Sequence, residues 1–248
     1  MRLTPEVLLV GGGTLTGFGL SADFDAHIYL LNGGTECALV DCGMGTPTGI
    51  ERVLSNIRGD GVEPDRITRL LLTHYHTDHA SGAARYRDLL SVRVGFSASE
   101  RQALERPDHS RTSFTLGQEA GFFPSDFVYP ACPVDDALDD GDEFQVGNLR
   151  VRYVTTPGHC AGHGSFLVSG REATYLLGGD AVFAGGRLLL QSTLDCDLQQ
   201  SFASVLRLGE LGFDALLPGH GPIALRDGKL HVSAAVDTIR SCSVPANL

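Results

Sequence analysis

The chain has 248 residues, 42% of them apolar, which suits one globular domain with a sizeable core. Its formal net charge is −11 and its 19 basic residues are scattered, so a nucleic-acid partner is not expected. No apolar run approaches the roughly 20 residues that span a bilayer, and no leader-like segment opens the sequence. We therefore expect a cytoplasmic protein without a membrane segment, with six reduced cysteines and a small-molecule substrate.

The N-terminal third is rich in predicted strands. These lie at 7–10, 26–31 and 37–40, and Asn32-Gly33-Gly34 forms a turn between the last two. Apolar residues at helical spacing then predict a helix over 48–57. A continuous apolar strand over 67–72 follows and runs directly into a cluster of histidines. The cluster thus begins where a buried strand ends.

The rest of the chain alternates predicted strands with helices. A helix is expected over 81–90, and short helices over 98–105 and 114–120 lie in a less regular insert at about 95–140. Further strands are predicted at 149–155, 164–168, 175–177 and 215–217, and further helices at 198–208 and 232–240. This order predicts a layered α/β fold in which helices cover sheet faces, as a single domain over residues 1–248.

Residues 74–79, with the sequence HYHTDH, carry four potential metal ligands. Side chains alternate along extended backbone, so His74 and His76 leave the strand end on the same side and can reach one ion. If Thr77 caps the following helix, Asp78 and the histidine after it lie in its first turn and can face a second ion. A polar surface loop is disfavoured because the preceding run is apolar.

Three more candidate ligands lie where predicted strands pass into glycine-containing loops. They are His159 in Thr-Pro-Gly-His, Asp180 in Gly-Gly-Asp and His220 in Pro-Gly-His-Gly. Proline and glycine favour sharp turns, and glycine permits a close approach of the backbone to an ion. Four residues cannot fill two coordination spheres, so these three complete one constellation with the first cluster.

In this order the motifs resemble those of the metallo-β-lactamase superfamily, and the resemblance extends from Tyr29 to Pro222. It implies a four-layer αββα sandwich with the site at one edge, where loops from both sheets meet. Residues 38–43, with the sequence ALVDCG, also resemble a family motif. The resemblance implies that Asp41 orients the metal-bearing loop rather than binding metal.

The resemblance further implies two divalent ions. Its ligands, carried over residue by residue, are His74, His76 and His159 for the first ion, Asp78, His79 and His220 for the second, and Asp180 as a bridge. Zinc is expected, with iron or manganese as alternatives, because imidazole and carboxylate ligands suit all three. Two adjacent ions lower the pKa of a shared water, and Asp78 is the candidate catalytic residue that holds and transfers its proton.

Four residues are candidate substrate contacts: His27, Tyr75, Phe122 and Phe123. His27 lies on an early strand that the fold brings near the site, although a half-buried strand histidine is an equal interpretation. The aromatic residues of the insert could roof an apolar substrate. Equally, they could pack the insert onto the sandwich or form a homodimer interface.

The predicted reaction is cleavage of a lactone, a carboxylic ester or a thioester by metal-bound hydroxide. Glyoxalase II-like thioesterases and lactonase-like esterases share all seven ligands, and the long insert favours the lactonase side. The β-lactamases of this fold generally carry cysteine or serine where Asp180 stands, which argues against antibiotic hydrolysis. Alternatives are an iron-dependent oxidoreductase of the persulfide dioxygenase type and a phosphoester hydrolase, since a fold does not select a reaction.

Overall fold

The computed structural model describes residues 1–14, 18–110 and 112–248, which form two sheets and flanking helices. The strands are β1 (Val7–Gly11), β2 (Ile28–Asn32), β3 (Cys37–Val40), β4 (Ile67–Leu71), β5 (Arg93–Ser97), β6 (Asp136–Leu138), β7 (Glu143–Val146), β8 (Leu149–Thr155), β9 (Gly164–Ser169), β10 (Thr174–Gly179) and β11 (Ala215–Pro218). The helices are α1 (Pro47–Gly59), α2 (Thr77–Ala80), α3 (Ala83–Leu90), α4 (Arg101–Glu105), α5 (Phe114–Glu119), α6 (Leu198–Leu208) and α7 (Gly228–Arg240).

The first sheet has the strand order β1-β2-β3-β4-β5-β6, and the second has the order β11-β10-β9-β8-β7. In the first sheet β1 to β3 pair antiparallel, whereas β3 to β6 pair parallel. In the second, β7 to β10 pair antiparallel and β11 joins β10 in parallel. Strands β4, β8, β10 and β11 each end shortly before a candidate ligand in the chain.

Three apolar layers hold the elements together. The first lies between the outer face of the first sheet and helices α1 and α3, the second between the two sheets, and the third between the second sheet and helices α6 and α7. Adjacent residues of a strand enter different layers, because side chains alternate. Representative residues of the three layers are, in order, Leu8 and Val53, Leu9 and Phe166, and Leu176 and Val205. The predicted αββα arrangement is confirmed.

The layer between the sheets contains large, fully buried side chains. Phe166 on β9 is fully buried there and contacts Tyr153 at a ring-centroid distance of 5.4 Å. We expect Phe166→Ala to lower the free energy of unfolding by about 3–5 kcal/mol, because it removes buried apolar surface and leaves a cavity. Denaturant titration measures this. Leu89→Ala on α3, where the side chain is 57% exposed, is the control and should change stability by less than about 0.5 kcal/mol.

The structure differs from the sequence-based expectation around the insert. Strands β5 and β6 belong to the edge of the first sheet, so both ends of the predicted 95–140 insert lie in the sandwich. The irregular segment is therefore 98–135, and it contains the short helices α4 and α5; Arg111 lies outside the described residues. β5, β6 and β7 were not predicted: β5 has a glycine at its centre, and β6 and β7 have only three and four residues, too few for a period-two pattern to be distinctive.

Two further findings concern membrane-spanning helices and the cysteines. Across the described ranges, none of the helices combines the length and apolarity that crossing a membrane requires. All six cysteines lie in those ranges and carry free thiols, as predicted.

Candidate metal centre

The histidine cluster follows β4, and its second half forms the start of the short helix α2. The helix begins at Thr77, and its N-cap position is His76, with no capping bond from that side chain. The prediction that Thr77 is the cap was therefore wrong by one position. Asp78 still lies in the first turn, so its carboxylate faces the same region as the imidazoles.

The structure brings all seven predicted ligands together at one edge of the sandwich. Their side-chain atoms form three overlapping groups, each with its donor atoms within 4.8 Å of one another. The groups are His74, His76 and His159; His74, His79 and Asp180; and Asp78, His79 and His220. Asp180 lies between the other residues: its Oδ2 is 3.3 Å from Nε2 of His220 and 3.6 Å from Nε2 of His159.

The outer nitrogens of three imidazoles face acceptors. Nδ1 of His79 lies 2.8 Å from Asp41 Oδ2. Nε2 of His76 lies 2.9 Å from Asp195 Oδ2, and Nδ1 of His159 lies 3.3 Å from the Leu189 carbonyl oxygen. An oxygen acceptor cannot donate, so the outer nitrogen that faces it carries the proton. A neutral imidazole has only one N–H proton, which leaves the other nitrogen without one. The inner nitrogens of the neutral rings are therefore bare lone pairs, and those of His76 and His159 face each other at 2.8 Å.

His74 follows the same pattern. Thr73 Oγ1 donates to Asp41 and so can only accept from His74 Nδ1, 3.0 Å away. Nε2 of His74 is buried without a hydrogen-bond partner, and so is Oδ1 of Asp180. Buried unpartnered acceptors are costly. A set of converging lone pairs and carboxylates fits divalent cations, which satisfy all of them together.

In the absence of metal, Asp180 and Asp78 attract protons to two of the imidazoles. Burial opposes the charge on both rings, yet the carboxylates raise the pKa of His79 well above its usual value and that of His220 to about 9, so that protons occupy positions that cations would take. Burial opposes ionisation of Asp180, yet the neighbouring imidazoles hold its pKa well below the usual value. Burial likewise opposes the charge on Asp78, but His79 and His220 lower its pKa to about 2. Burial, with the nearby imidazoles, lowers the pKa of His74 well below its usual value. The carboxylates are thus anionic and His74 is neutral at physiological pH.

Glycine at position 219 makes room for this packing. A Cβ atom there would lie 2.2 Å from Oδ1 of Asp180 and 2.6 Å from Cε1 of His79. We expect Gly219→Ala to displace both side chains and lower metal affinity by about 10–100-fold, the usual cost of disturbing ligand orientation. Competition with a chelating dye measures this. Gly212→Ala, where a Cβ meets nothing within 4 Å, should retain wild-type affinity; equal affinities would contradict the assignment.

Sequence reasoning missed Asp195, the carboxylate of the 187–197 loop that faces His76. Its only sequence signal is an acid in a loop after the Gly-Gly-Asp motif, and such acids are common. Another supporting residue is His163, whose Nε2 accepts a hydrogen bond from the backbone N–H of Asp180 at 2.9 Å. Asp41, by contrast, was predicted from its motif and does contact His79.

A cavity of about 550 Å³ opens beside the cluster. Asp78, His76 and His220 line its inner part, and its outer wall is mostly apolar and includes Phe122 and Phe123, as expected of substrate contacts. His27 and Tyr75 are not among its lining residues. His27 is wholly buried with Nδ1 facing the Pro218 carbonyl, and the Tyr75 hydroxyl donates to Asp195. His27 thus lies behind the site, whereas Tyr75 and Asp195 line a second cavity of about 760 Å³.

Comparison with known proteins gives matches over most of the chain. Residues 22–220 match the family model described as the metallo-beta-lactamase superfamily. An atrochrysone carboxyl ACP thioesterase of Aspergillus fumigatus is 27% identical over 221 residues, which is 89% of this chain and 58% of that protein. The lactamase-like protein adaB of Aspergillus niger is 28% identical over 220 residues, 89% of this chain and 56% of that one. The chain thus spans little more than half the length of the curated relatives it matches.

Solved structures share the fold. A metallo-beta-lactamase family protein from Thermus thermophilus superposes with a TM-score of 0.73 at 24% identity, covering 97% of this chain and 81% of that one. A subclass B3 metallo-beta-lactamase of Bradyrhizobium japonicum gives a TM-score of 0.71 at 21% identity, covering 98% and 91%. Both likenesses concern the architecture alone.

Proposed function

Because the chain belongs to the metallo-beta-lactamase superfamily, we propose that it is a metal-dependent hydrolase that cleaves a thioester, carboxylic ester or lactone with an apolar acyl part. The observation that carries the proposal is the set of inward-facing lone pairs beside an apolar cavity. A thioester is the first choice among the three, since one of the curated relatives is named as a thioesterase.

We propose the ligands of the two ions as the resemblance implies. His74, His76 and His159 would hold one ion, Asp78, His79 and His220 the other, and Asp180 would bridge them. When bound, two divalent ions supply a hydroxide at neutral pH and polarise the scissile carbonyl. Zinc suits a site of imidazole and carboxylate ligands.

Residues of the chain itself transfer the proton, orient a ligand and bind the substrate. Asp78 is 22% exposed where it lines the cavity, so its carboxylate can accept a proton from water and return it to the leaving group. Asp41 keeps the proton of His79 on Nδ1 and so keeps Nε2 directed into the cluster. The apolar wall around Phe122 binds the acyl part and excludes water around it.

Elemental analysis followed by a substrate panel tests the proposal. We expect about two metal ions per chain and hydrolysis of acyl thioesters, with esters and lactones as the other arms. Phosphodiester cleavage without acyl hydrolysis would overturn it, as would oxygen consumption with a persulfide substrate. A preparation that hydrolyses acyl thioesters fully with no bound metal would also contradict it.

The cavity wall gives a separate prediction. Phe122 is 63% exposed at the rim, so its substitution should leave the fold intact. We expect Phe122→Ala to raise KM for a long acyl chain by about 10-fold, a loss of 1–2 kcal/mol of apolar contact, and to leave KM for an acetyl substrate nearly unchanged. Steady-state kinetics measures both. The control, Leu89→Ala on α3, also removes an exposed apolar side chain, but away from the cavity lining. Equal effects of the two variants on the long-chain KM would contradict this role.

A further inference from the structure

Asp195 connects the candidate metal centre to the insert. Its side chain is only 5% exposed, and both carboxylate oxygens are engaged. Oδ2 lies 2.9 Å from Nε2 of His76 and accepts from the Tyr75 hydroxyl at 3.1 Å. Oδ1 accepts from Oγ of Ser113 at 2.5 Å. One carboxylate therefore holds a proposed metal ligand and a residue of the insert at once.

The contact with His76 sets the ring's tautomer. A carboxylate accepts and cannot donate, so Nε2 carries the proton and Nδ1 presents a bare lone pair toward His159. Without this contact the ring could rotate, or its proton could move to Nδ1. A protonated Nδ1 cannot bind a cation. Asp195 thus prepares His76 for metal.

The contact with Ser113 lies at the start of residues 112–123, which we call the cavity roof. Ser113 has a φ of 58°, a conformation that non-glycine residues adopt rarely, and it directly precedes α5. Residues from 112 to 123 contribute much of the cavity's apolar lining, among them Phe114, Leu116 and Phe123. The hydrogen bond to Asp195 compensates for an unfavourable backbone conformation at the point where this roof starts.

We propose that Asp195 is a positioning residue that couples metal binding at His76 to docking of the α5 roof over the substrate cavity. The inference rests on the proposed function for the metal and the substrate. Coupling between two events is reciprocal. The factor by which a docked roof tightens metal binding therefore equals the factor by which bound metal stabilises the docked roof.

Two readouts other than catalysis test this coupling: zinc affinity, and hydrogen exchange of backbone amides in 114–119 with and without zinc. In the wild type we expect zinc to slow this exchange several-fold. Asp195→Asn should weaken zinc binding by about 10–100-fold. Ser113→Gly removes the hydroxyl but suits the positive φ, so the roof can form without strain. It should weaken zinc binding several-fold and make the exchange rate insensitive to zinc.

Asp197→Asn is the matched control, because Asp197 lies in the same loop and caps α6, a role that asparagine fills equally well. It should behave as the wild type in both readouts. The coupling is overturned if Asp195→Asn binds zinc as tightly as Asp197→Asn, or if Ser113→Gly keeps the wild-type response of exchange to zinc. Hydrolysis of the panel of acyl thioesters, esters and lactones, measured on the same wild-type preparation, separates the two proposals. Hydrolysis without any effect of zinc on exchange overturns the coupling alone, whereas zinc-dependent exchange without acyl hydrolysis overturns the proposed function.

Discussion

Asp180→Ala is expected to lower kcat by at least about 10²–10³-fold while the fold stays intact. Asp180 is the carboxylate that lies between the two outer groups of imidazoles, with Oδ2 within 3.6 Å of both His159 and His220 and Oδ1 3.4 Å from Nε2 of His79. Its removal takes away the negative charge that two adjacent cations need between them. Steady-state kinetics, elemental analysis and circular dichroism measure activity, metal content and folding in one preparation.

The control for this variant is Asp237→Ala, which removes an exposed carboxylate from α7. It should retain wild-type kinetics and metal content, because it changes the net charge equally without touching the cluster. If Asp180→Ala keeps two ions and wild-type turnover, Asp180 does not bridge metals. A variant that loses its circular dichroism signal as well would show that the residue acts on folding, contrary to the expectation.

Removal of metal with a chelator is expected to abolish turnover and to make thermal stability fall as the pH rises from 6.5 to 9. Burial lowers the pKa of His220, but Asp180 and Asp78 raise it by more, so that it reaches about 9 in the absence of metal. The unfolded value is 6.5, so folding favours the protonated form. This stabilising contribution is complete below pH 6.5 and is lost as the pH rises through 9.

The melting temperature of chelator-treated protein should therefore fall between pH 6.5 and 9. Metal binding instead requires the deprotonated imidazole, so the stability that metal adds should grow over the same range. Melting curves of both forms measure the two slopes. Asp78→Asn removes one of the carboxylates that raise the pKa of His220, and should flatten the slope of the chelator-treated form. Parallel slopes for the two wild-type forms would contradict the expectation, as would full turnover after chelation.

Much of the secondary structure was predictable because it depends on local patterns. The apolar run before the histidines became β4, and the helical spacing at 48–57 became part of α1. Strands β6 and β7 were not predicted, since three or four residues are too few for an alternating pattern to be distinctive. The start of α2 was misplaced by one residue because capping depends on backbone angles that the residue type only biases.

The candidate site was also predictable only in part. Motifs indicated which residues carry the chemistry, because few sequences place so many histidines and acids at strand ends without a use for them. They could not indicate the partners of those residues. Asp195 approaches His76 across 119 positions, and nothing in its own neighbourhood distinguishes it from other loop acids. His27 and Tyr75 were candidate substrate contacts by position, yet the packing places both outside the lining of the cavity beside the cluster.

By itself the sequence determined the layered fold, the set of seven candidate ligands and the acidic, histidine-rich character of the site. Only the tertiary structure decided which nitrogen of each imidazole faces inward, which aromatic residues reach the cavity, and that one carboxylate joins the metal centre to the roof above it. The reason is physical. Alternation and helical period act between neighbours in the chain, whereas a tautomer or a cavity wall depends on atoms that only folding brings within hydrogen-bonding distance.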